Sequence, residues 1–403
     1  MKSLLLKFLH KVGKPSEIEL FWNKFRQVPR IHFALIRIEY DVLEDAMEEL
    51  CENISYMVHL NIYPVLLLDL SSKTNEEGHH QRISDAQASK LFPVLANRLI
   101  DEMAKHDCPT EVVSDAINAE SKRQHQWELD IATIQTVLDR DTVPILSPFS
   151  KRKKRRIYVD PSELCRLYLT RLTPLKYIQL IAEGGILNCQ ERILPFLNLS
   201  QRSEWKDVHP DMKPMVKEVR QLFNIVPDCA AIFTSAEHLL QEIFTIKGRG
   251  TYIKMHHILS SSKMRDLDNA RLRILLEDAF GKNLVDDFFA EKFKMVFYEK
   301  DYEGVAIIKN LKGIPYLDKL AVSPISEGTG LGKSLWVAIA KAYPKLIWRA
   351  SPKNPLNSFY LRECDGCMKF PKWQVYWREL DEEEILPAVK RVLDIRSTMI
   401  EIR

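Results

Sequence analysis

A glycine-spaced turn between an apolar strand and a helix constrains the fold of this 403-residue chain more than any other feature. The strand pattern covers residues 316–323, glycines follow at Gly328, Gly330 and Gly332, and a helical pattern begins at Lys333. Glycine lets the backbone approach a ligand closely, and the first N–H groups of a helix have no partner within the helix. The arrangement predicts an anion site of the kind that binds phosphate, with a turn that merely precedes a packing helix as the alternative.

Three further motifs surround this turn. They are FGKNLVDDF at residues 280–288, the strand pattern LIWR at 346–349, and NPLNSFY at 354–360. With the turn between them, they resemble the acetyltransferase domain of the N-acetylglutamate synthase family over residues 247–380. The resemblance implies a GCN5-related N-acetyltransferase domain with a mixed sheet. The family has glutamine or arginine where this chain has Glu327, and the backbone N–H groups are expected to preserve the anion site despite that difference.

The resemblance implies roles for five side chains. Lys282, Lys319 and Arg349 stand where the family binds the carboxylates of glutamate. Asn354 and Tyr360 are the expected catalytic residues: the first also contacts the substrate, and the second can protonate the departing thiolate. Glutamate carries two carboxylates, so its site needs at least two fixed cations. Taken singly, each lysine could be a surface charge and the tyrosine a packing aromatic, but their joint placement in matched motifs favours a site.

One cation of the family pattern is missing. The family has a second arginine two places after the first, where this chain has Ser351. A lost charge-assisted hydrogen bond costs about 1.5–3 kcal/mol, which is enough to weaken or redirect substrate choice. The predicted activity is acetyl transfer from acetyl-CoA to the α-amine of L-glutamate, the entry to arginine biosynthesis. The alternatives are an acetyltransferase for a different amino acid or amine, and a non-catalytic arginine-sensing partner of a separate acetylglutamate kinase.

Acetyl-CoA is the co-substrate that the resemblance implies. A backbone N–H of the strand is expected to hold the tetrahedral oxyanion, where such transferases splay two strands apart to admit the pantetheine arm. No histidine lies within the matched motifs, so a water relay or a carboxylate must remove the proton of the amine. The residues expected to contact acetyl-CoA are Leu320, Ala321, Val322, Glu327, Gly328, Thr329, Gly330, Leu331, Gly332 and Lys333.

The amino-terminal part alternates apolar strand-like runs with helical patterns, which is typical of an α/β fold. Its order of elements resembles the amino-acid kinase fold of N-acetylglutamate kinase, a three-layer sandwich. The predicted domains are therefore an amino-acid kinase-like domain at residues 1–246 and the acetyltransferase domain at 247–403. The patterns predict buried parallel strands at 32–38, 64–70, 142–146 and 177–181, and helices at 84–105 and 207–223.

The kinase-like part departs from its family where phosphate is bound. The family opens with a strand followed by K-x-G-G, whereas residues 37–40 are RIEY, and the second glycine loop is replaced by DLSSK at 69–73. Met215 replaces a later lysine, and only Asp160 matches the catalytic aspartate. A site with neither glycine loop cannot cradle a triphosphate. We therefore predict no kinase activity, and a role in regulation and in assembly as a homo-dimer or homo-tetramer.

An effector segment is predicted at the junction of the two domains. Residues 244–251, FTIKGRGT, resemble the K-G-S-G-T segment that borders the arginine site in arginine-sensitive members, with Arg249 in place of serine. The expected effector residues are Lys247, Gly248 and Gly250. An ordinary domain junction is the alternative.

Composition indicates which class of protein this chain belongs to and in which compartment it lies. Hydrophobic residues make up 46% of the chain and charged residues 28%, without the ~18–20 consecutive apolar residues that a membrane span needs. Seven scattered cysteines argue against a disulfide framework and for a reducing compartment, so we expect a cytoplasmic protein. The first 11 residues predict an amphipathic helix, with a short mitochondrial presequence as the alternative.

Metal and nucleic acid are not expected partners. Cys364 and Cys367 have the spacing of two zinc ligands, but two further ligands do not lie near them in sequence. The net charge of +3 is too small to imply nucleic acid. The basic run at residues 151–156 is predicted to be a solvated hairpin, with a nucleic-acid or nuclear-localisation patch as the alternative.

Overall fold

The computed structural model describes residues 25, 28–71, 83–114, 116–120, 126–152, 155–200, 202–226, 229–244, 248–327 and 330–401. The chain forms two compact units, Met1–Met255 and His256–Arg403. No helix within the described ranges is both long and apolar enough to cross a bilayer.

A large, mainly parallel sheet forms the centre of the first unit. Its strands are β1 (Ala34–Glu39), β2 (Val65–Asp69), β3 (Thr110–Val113), β6 (Val143–Leu146), β9 (Lys176–Leu180), β10 (Phe196–Asn198), β11 (Ala230–Thr234) and β12 (Thr251–Lys254). They lie in the order β10-β12-β11-β9-β1-β2-β6-β3, and β11 and β12 are antiparallel. Every residue of β1, β2 and β9 is buried, as expected of parallel strands that are covered on both faces.

Seven helices accompany this sheet in the described part of the first unit, and side-chain caps begin three of them, at Ser84, Asp130 and Asp160. They are α1 (Tyr40–Asp45), α2 (Met47–His59), α3 (Asp85–Lys105), α4 (Ile131–Asp139), α5 (Pro161–Leu172), α6 (Lys213–Ile225) and α7 (Leu239–Phe244). Ser84 and Gln87 form a capping box at the start of α3. The helix predicted at 207–223 begins later, because a separate 3₁₀ turn occupies Pro210–Met212 and Pro214 favours a helix start. The α/β class and the predicted strands are confirmed.

A second, four-stranded sheet contains the basic run. It consists of β4 (Ile117–Glu120), β5 (Gln126–Leu129), β7 (Phe149–Arg152) and β8 (Arg155–Tyr158), in the order β5-β4-β7-β8. Strands β7 and β8 are antiparallel, with Arg152 opposite Arg155. The predicted hairpin is therefore confirmed, although Lys153 and Lys154 lie outside the described residues.

The junction between the units lies later in the chain than predicted. Residues 247–255 were assigned by sequence to the second domain, but β12 pairs with β10 and β11 of the first sheet. Thr251 and Ile253 are completely buried there, and the Thr251 hydroxyl accepts a hydrogen bond from the Ile186 N–H at 2.8 Å. The structure thus separates the units between Met255 and His256.

The second unit contains a seven-stranded mixed sheet and a two-stranded one. Its strands are β13 (Ile258–Ser261), β14 (Asn283–Leu284), β15 (Met295–Glu299), β16 (Gly304–Leu311), β17 (Ile314–Val322), β18 (Leu346–Ala350), β19 (Gly366–Lys369), β20 (Gln374–Arg378) and β21 (Met399–Ile400). The large sheet has the order β13-β15-β16-β17-β18-β20-β19, and β14 pairs with β21. Only β17 and β18 are parallel neighbours; the other pairs are antiparallel.

Helices cover both faces of this sheet. They are α8 (Asn269–Phe280), α9 (Leu331–Ala342), α10 (Asn357–Glu363) and α11 (Glu382–Asp394). Alternate residues of one strand point to opposite faces. Trp348 of β18 belongs to the core that contains α9, whereas its neighbour Ile347 belongs to the core that contains α11. The sheet is therefore packed between α9 and α11, which holds β18 from both faces.

Candidate active site

The two parallel strands at the centre of the second unit separate part of the way along their length. Strands β17 and β18 pair only at Tyr316 with Ile347 and at Leu317 with Trp348. Strand β17 then continues to Val322, so among the described residues its edge from residue 318 onward has no partner strand on that side. This edge includes Leu320, Ala321 and Val322 and gives an extended ligand backbone groups with which to pair.

The predicted glycine turn follows directly from that free edge. A 3₁₀ turn occupies Pro324–Ser326, and α9 begins after Gly330, whose φ of 76° lies in the left-handed region that glycine tolerates. A methyl group at Gly332 would lie 3.6 Å from Val322, so the start of α9 packs on the end of β17. The helix start carries a partial positive charge that suits an anion. Gly328 and Thr329 lie outside the described residues.

Lys319 is a buried cation on β17. Only 7% of the residue is exposed, and its Nζ donates to Asp318 Oδ2 at 3.0 Å and to Thr398 Oγ1 at 2.6 Å. The Asp318 carboxylate also receives Lys309 Nζ at 3.1 Å. Burial lowers the pKa of Lys319, while the adjacent Asp318 carboxylate opposes that shift. Lys319 therefore sits beside a carboxylate that it shares with Lys309.

Arg349 lies on β18 at the point of separation. Its Nη1 and Nη2 donate to the carbonyl oxygens of Val392 and Ile395 at 2.6 Å and 2.9 Å. The guanidinium also stacks on Trp373, with its central carbon 4.2 Å from the ring centre. A guanidinium has five N–H donors, so the two carbonyl contacts fix its plane without exhausting its hydrogen bonds. The geometry leaves it able to bind a carboxylate.

Lys282 and Asn354 lie at the edges of the same unit. Lys282 is partly exposed, and its Nζ contacts the Glu401 carboxylate. Asn354 Oδ1 accepts the N–H of Leu356 at 2.8 Å, and so shapes the turn that precedes α10. The structure therefore gives Asn354 a turn-forming contact, and its substrate contact stays a prediction.

Tyr360 lies inside an aromatic cluster on α10. It is 5% exposed, and its ring centre lies 5.8 Å from that of Trp348 and 5.6 Å from that of Tyr376. Burial raises the pKa of Tyr360 well above the value of an ordinary tyrosine. Its hydroxyl therefore stays protonated at neutral pH, as an acid for a leaving thiolate must. Trp348 is also in contact with Trp336 of α9, which links this cluster to the helix after the glycine turn.

Sequence reasoning did not identify three side chains of this site. Asp318 lies in the same motif as Lys319, but the sequence does not show that two lysines share its carboxylate. That arrangement depends on the pairing of β16, which carries Lys309, with β17. Thr398 lies beyond the matched motifs, so no pattern pointed to it. Trp373 is the last residue of the DGCMKFPKW stretch at 365–373, which fits the family pattern D-G-x-x-K-x-x-K-W, but that pattern does not indicate its position under Arg349.

In the first unit, the phosphate-binding positions are filled by an ion network. Arg37 Nε and Nη2 donate to Asp69 Oδ2 at 2.9 Å and 2.7 Å, and its Nη1 donates to Glu218 at 2.8 Å. Burial favours a higher pKa for Asp69, but the Arg37 charge and the hydrogen bonds from Ser71 and Arg37 together outweigh it, so the pKa is lowered. The cation that would hold a phosphate is thus bound by the chain's own carboxylates. Met215 is buried, and Ser72 and Lys73 lie outside the described residues.

A cavity of about 640 Å³ remains beside this network. Its lining includes three carboxylates, those of Asp160, Glu163 and Glu218. Arg166, also in the lining, is paired with Glu163. Asp160, the residue matched to the kinase aspartate, caps α5 by accepting the N–H of Ser162 at 2.9 Å. Three carboxylates against one guanidinium make the lining of the cavity acidic.

The predicted effector segment encloses a buried carboxylate. Gly250 N–H donates to Glu242 Oε1 at 2.8 Å, and Glu242 is only 2% exposed. Burial raises the pKa of Glu242, opposed by the backbone N–H groups of Gly250 and Arg249. A methyl group at Gly248 would lie 1.7 Å from this carboxylate, so a larger residue there would have to displace the Glu242 side chain. Lys247 lies outside the described residues.

The side chains of the described residues do not form a candidate metal site. Within the described part of the chain, no group of three or more His, Cys, Asp or Glu residues is placed to hold a metal ion. All seven cysteines are free, including Cys364 and Cys367.

Comparisons with known proteins agree with this architecture. Residues 259–395 match the family model described as NAT, the N-acetyltransferase of N-acetylglutamate synthase. The acetylglutamate kinase of Xanthomonas campestris is 25% identical and is matched over 96% of this chain and 100% of its own length. The mitochondrial N-acetylglutamate synthase of Danio rerio is 27% identical, and the match covers 93% of this chain and 76% of that protein. The mitochondrial N-acetylglutamate synthase of Homo sapiens is also 27% identical, and the match covers 92% of this chain and 74% of that protein.

Two solved structures have the same fold. Both are N-acetylglutamate synthase from Neisseria gonorrhoeae, one complexed with coenzyme A and L-arginine and the other with coenzyme A and N-acetyl-glutamate. The first has a TM-score of 0.60 at 13% identity and covers 91% of this chain and 98% of its own. The second has a TM-score of 0.54 at 14% identity and covers 91% of this chain and 100% of its own. At these identities the likeness establishes the fold, and the predicted pairing of a kinase-like and an acetyltransferase domain is confirmed.

Proposed function

We propose that this chain, whose carboxy-terminal unit belongs to the N-acetyltransferase family of N-acetylglutamate synthase, transfers the acetyl group of acetyl-CoA to the α-amine of L-glutamate. The observation that carries the proposal is that Lys319 and Arg349 flank the point where β17 and β18 separate. A dicarboxylate needs two fixed cations. The free edge of β17 leads from these cations to a helix start that suits the phosphates of acetyl-CoA. The activity named for the zebrafish and human relatives supports the same reaction.

Each step of the proposed reaction is assigned to a different group of the site. The neutral amine of glutamate attacks the thioester carbonyl carbon, and a backbone N–H in residues 320–322 holds the resulting oxyanion. Collapse of the tetrahedral intermediate breaks the C–S bond, and Tyr360 gives its proton to the departing thiolate. The attacking amine loses its proton through a water relay or a carboxylate. The products are N-acetylglutamate and CoA, and the remaining co-substrate contacts are assigned to the glycine turn and Lys333.

The assay that tests this activity follows thiol release from acetyl-CoA with a panel of amines. Glutamate should be the preferred acceptor, because glutamine would leave one cation of the site without its carboxylate partner. Formation of N-acetylglutamate should match the thiol released. If thiol is released with none of the amines, the chain is not an acetyltransferase and a sensing role replaces this proposal.

Removal of one cation tests substrate choice. Arg349→Ala should raise KM for glutamate about tenfold or more, since a hydrogen bond to a charged group is lost, and should change KM for acetyl-CoA far less. Lys390→Ala is the matched control, because it removes an exposed cation from α11, the helix whose end receives Arg349. Equal changes in both KM values would indicate a general structural effect instead.

Ser351 favours a second candidate, an acetyltransferase for another amine. Its hydroxyl accepts the Lys353 N–H at 3.3 Å and its carbonyl accepts Asn357 Nδ2 at 3.0 Å, so it shapes the turn before α10. Ser351→Arg restores the family residue and should improve glutamate use or leave it unchanged. If wild type instead ignores glutamate, acetylates another amine and loses that activity in Ser351→Arg, the second candidate stands.

The kinase-like unit is proposed to have no phosphoryl-transfer activity. The Arg37 guanidinium is held by Asp69 and Glu218, and the neighbouring cavity is lined by carboxylates that repel a triphosphate. Calorimetry should show no micromolar ATP binding in the presence of magnesium, and N-acetylglutamate with ATP should give no ADP. The same sample should bind acetyl-CoA, which shows that it is folded. Formation of ADP would show that the chain is a kinase and would contradict this proposal.

The remaining proposals concern assembly and control. We propose that the kinase-like unit mediates assembly of a homo-dimer or homo-tetramer. We also propose that the segment containing Lys247, Gly248 and Gly250 borders an arginine effector site. The arginine-bound Neisseria gonorrhoeae synthase supports the second assignment by analogy. Seven free cysteines agree with the proposed cytoplasmic location. Sedimentation of the full chain with and without arginine tests assembly and effector binding together.

A further inference from the structure

The three cations assigned to the acceptor substrate all contact the last part of the chain. Lys319 Nζ donates to Thr398 Oγ1 at 2.6 Å, and Lys282 Nζ contacts the Glu401 carboxylate. Arg349 donates to two carbonyl oxygens at the end of α11 and just beyond it. This part of the chain follows the stretch in which the family motifs lie. None of these contacts follows from the motifs themselves.

We propose that the Thr398–Glu401 segment is part of the acceptor-substrate site, in which Thr398 positions the Lys319 ammonium for a substrate carboxylate. The inference rests on the proposed function, because it needs Lys319 to bind the carboxylate of the amino acid. It adds a residue that acts through Lys319, and Thr398 is therefore a positioning residue rather than a catalytic one.

The number and kind of partners around Lys319 support this role. An ammonium has three N–H donors. Two of them bind Asp318 Oδ2 at 3.0 Å and Thr398 Oγ1 at 2.6 Å, and the Asp318 carbonyl oxygen lies at 3.5 Å, beyond the usual hydrogen-bond length. One donor is thus available for an incoming carboxylate. A hydroxyl group fixes the direction of the ammonium without cancelling its charge, which a second carboxylate in its place would do.

The charges nearby make this neutral partner important. The Asp318 carboxylate is shared between Lys319 and Lys309, whose Nζ lies 3.1 Å from it. Lys309 is also paired with Glu291 at 2.5 Å. The Lys319 ammonium therefore keeps much of its charge for the substrate. Thr398 is only 6% exposed, so water does not readily replace its hydroxyl.

The backbone of the segment is held independently of the Thr398 side chain. Strand β21 pairs with β14, with Met399 opposite Leu284 and Ile400 opposite Asn283. The Thr398 carbonyl oxygen accepts the Val285 N–H at 3.1 Å. Because these are backbone contacts, a change of the Thr398 side chain leaves them in place. The hydroxyl can therefore be removed without removing the segment from the site.

The test measures steady-state kinetics of the full chain with glutamate and acetyl-CoA. Thr398→Val removes the hydroxyl and keeps the branched shape, and should raise KM for glutamate about tenfold, as expected for one lost hydrogen bond to a charged group. KM for acetyl-CoA should stay at the wild-type value. Thr398→Ser restores the hydroxyl and should restore KM for glutamate. Ser397→Ala, an exposed neighbour with no contact to these cations among the described residues, should behave as wild type.

Two further outcomes decide the proposal. If Thr398→Val is poorly folded, Thr398→Ala gives the same comparison without a methyl group in place of the hydroxyl, and a wild-type KM for glutamate in that variant overturns the inference. An active wild type with unchanged KM in Thr398→Val overturns the inference alone, as does an equal rise in both KM values. A wild type with no glutamate-dependent thiol release overturns the proposed function and this inference with it.

Discussion

Replacing Tyr360 with phenylalanine is expected to lower kcat by about 100-fold to 10,000-fold, the usual range for loss of a general acid. Only the hydroxyl is removed, and the ring keeps its contacts with Trp348 and Tyr376. Affinity for acetyl-CoA should hold, because the glycine turn and the free edge of β17 are unaltered. Thiol release at saturating substrate and a separate measurement of acetyl-CoA binding check the two halves of this expectation.

Burial also predicts the pH dependence of this acid. The pKa of Tyr360 is raised by burial, so the hydroxyl stays protonated past pH ~10, where an ordinary tyrosine ionises. Wild-type kcat should therefore show no loss from ionisation of Tyr360 between neutral pH and that value. A Tyr360→Phe variant with full kcat across this range would show that another group protonates the thiolate.

Tyr376→Phe is the matched control for this experiment. It removes a hydroxyl from the same aromatic cluster, where the Tyr376 oxygen lies 3.1 Å from Asn357 Oδ1 and 2.5 Å from Gln374 Oε1 and can donate its one hydrogen to either. The expected loss is about 1 kcal/mol of folding stability from these structural hydrogen bonds, with a much smaller change in kcat. The comparison separates the acid from the packing of the cluster.

Local patterns predicted the elements of the fold well. Strands β2 and β6 are nearly continuous apolar runs, and β1 and β9 are mostly apolar runs that include charged or amide side chains. Strands of this kind are buried on both faces, so their positions could be predicted from the sequence. The turn before α9 could be predicted for a related reason, since glycine at the left-handed position of Gly330 is the simplest way to join that strand to that helix.

Long-range contacts were not accessible in the same way. The separation of β17 from β18 depends on how two distant strands pair, and no short pattern encodes where that pairing stops. The binding of Arg349 to carbonyl oxygens at the end of α11 and just beyond it, and of Lys319 to Thr398, joins residues tens of positions apart. The domain junction lies later than the predicted start of the second domain at residue 247. Strand β12 follows Gly248 and Gly250, which are typical of a linker, and yet it pairs with the first sheet. Each miss involves tertiary pairing that overrides a local signal.

Replacing Arg37 with methionine is expected to destabilise the first unit by about 3–5 kcal/mol, because it leaves the Asp69 carboxylate buried without its cation. The guanidinium donates twice to Asp69, at 2.9 Å and 2.7 Å, and both side chains are almost fully buried. Hydrogen exchange measured on peptides from 30–70 should report this loss while peptides of the second unit stay unchanged. This readout is needed because two units do not unfold as a single transition.

Arg140→Met is the matched control, because Arg140 pairs with Glu111 on the surface, with the two side chains 57% and 46% exposed. An exposed pair is worth about 0–1 kcal/mol, so exchange should change little. The double variant Arg37→Met with Asp69→Asn should recover part of the stability, since the unpaired charge is gone. Exchange in Arg37→Met equal to wild type would show that the network does not hold the unit together.

The sign of the pH dependence strengthens this test. In wild type the pKa of Asp69 is lowered in the folded state, so the pair stabilises folding above the unfolded pKa of ~3.9 and this contribution is lost as the pH falls through the folded value. In Arg37→Met only burial and the weaker Ser71 contacts act on the carboxylate, and its pKa should rise instead. The deficit relative to wild type should then be largest near neutral pH and smaller in acid. That reversal would identify Asp69 as a buried carboxylate that depends on the Arg37 guanidinium, at the position that the sequence aligns with the second glycine loop of the kinase family.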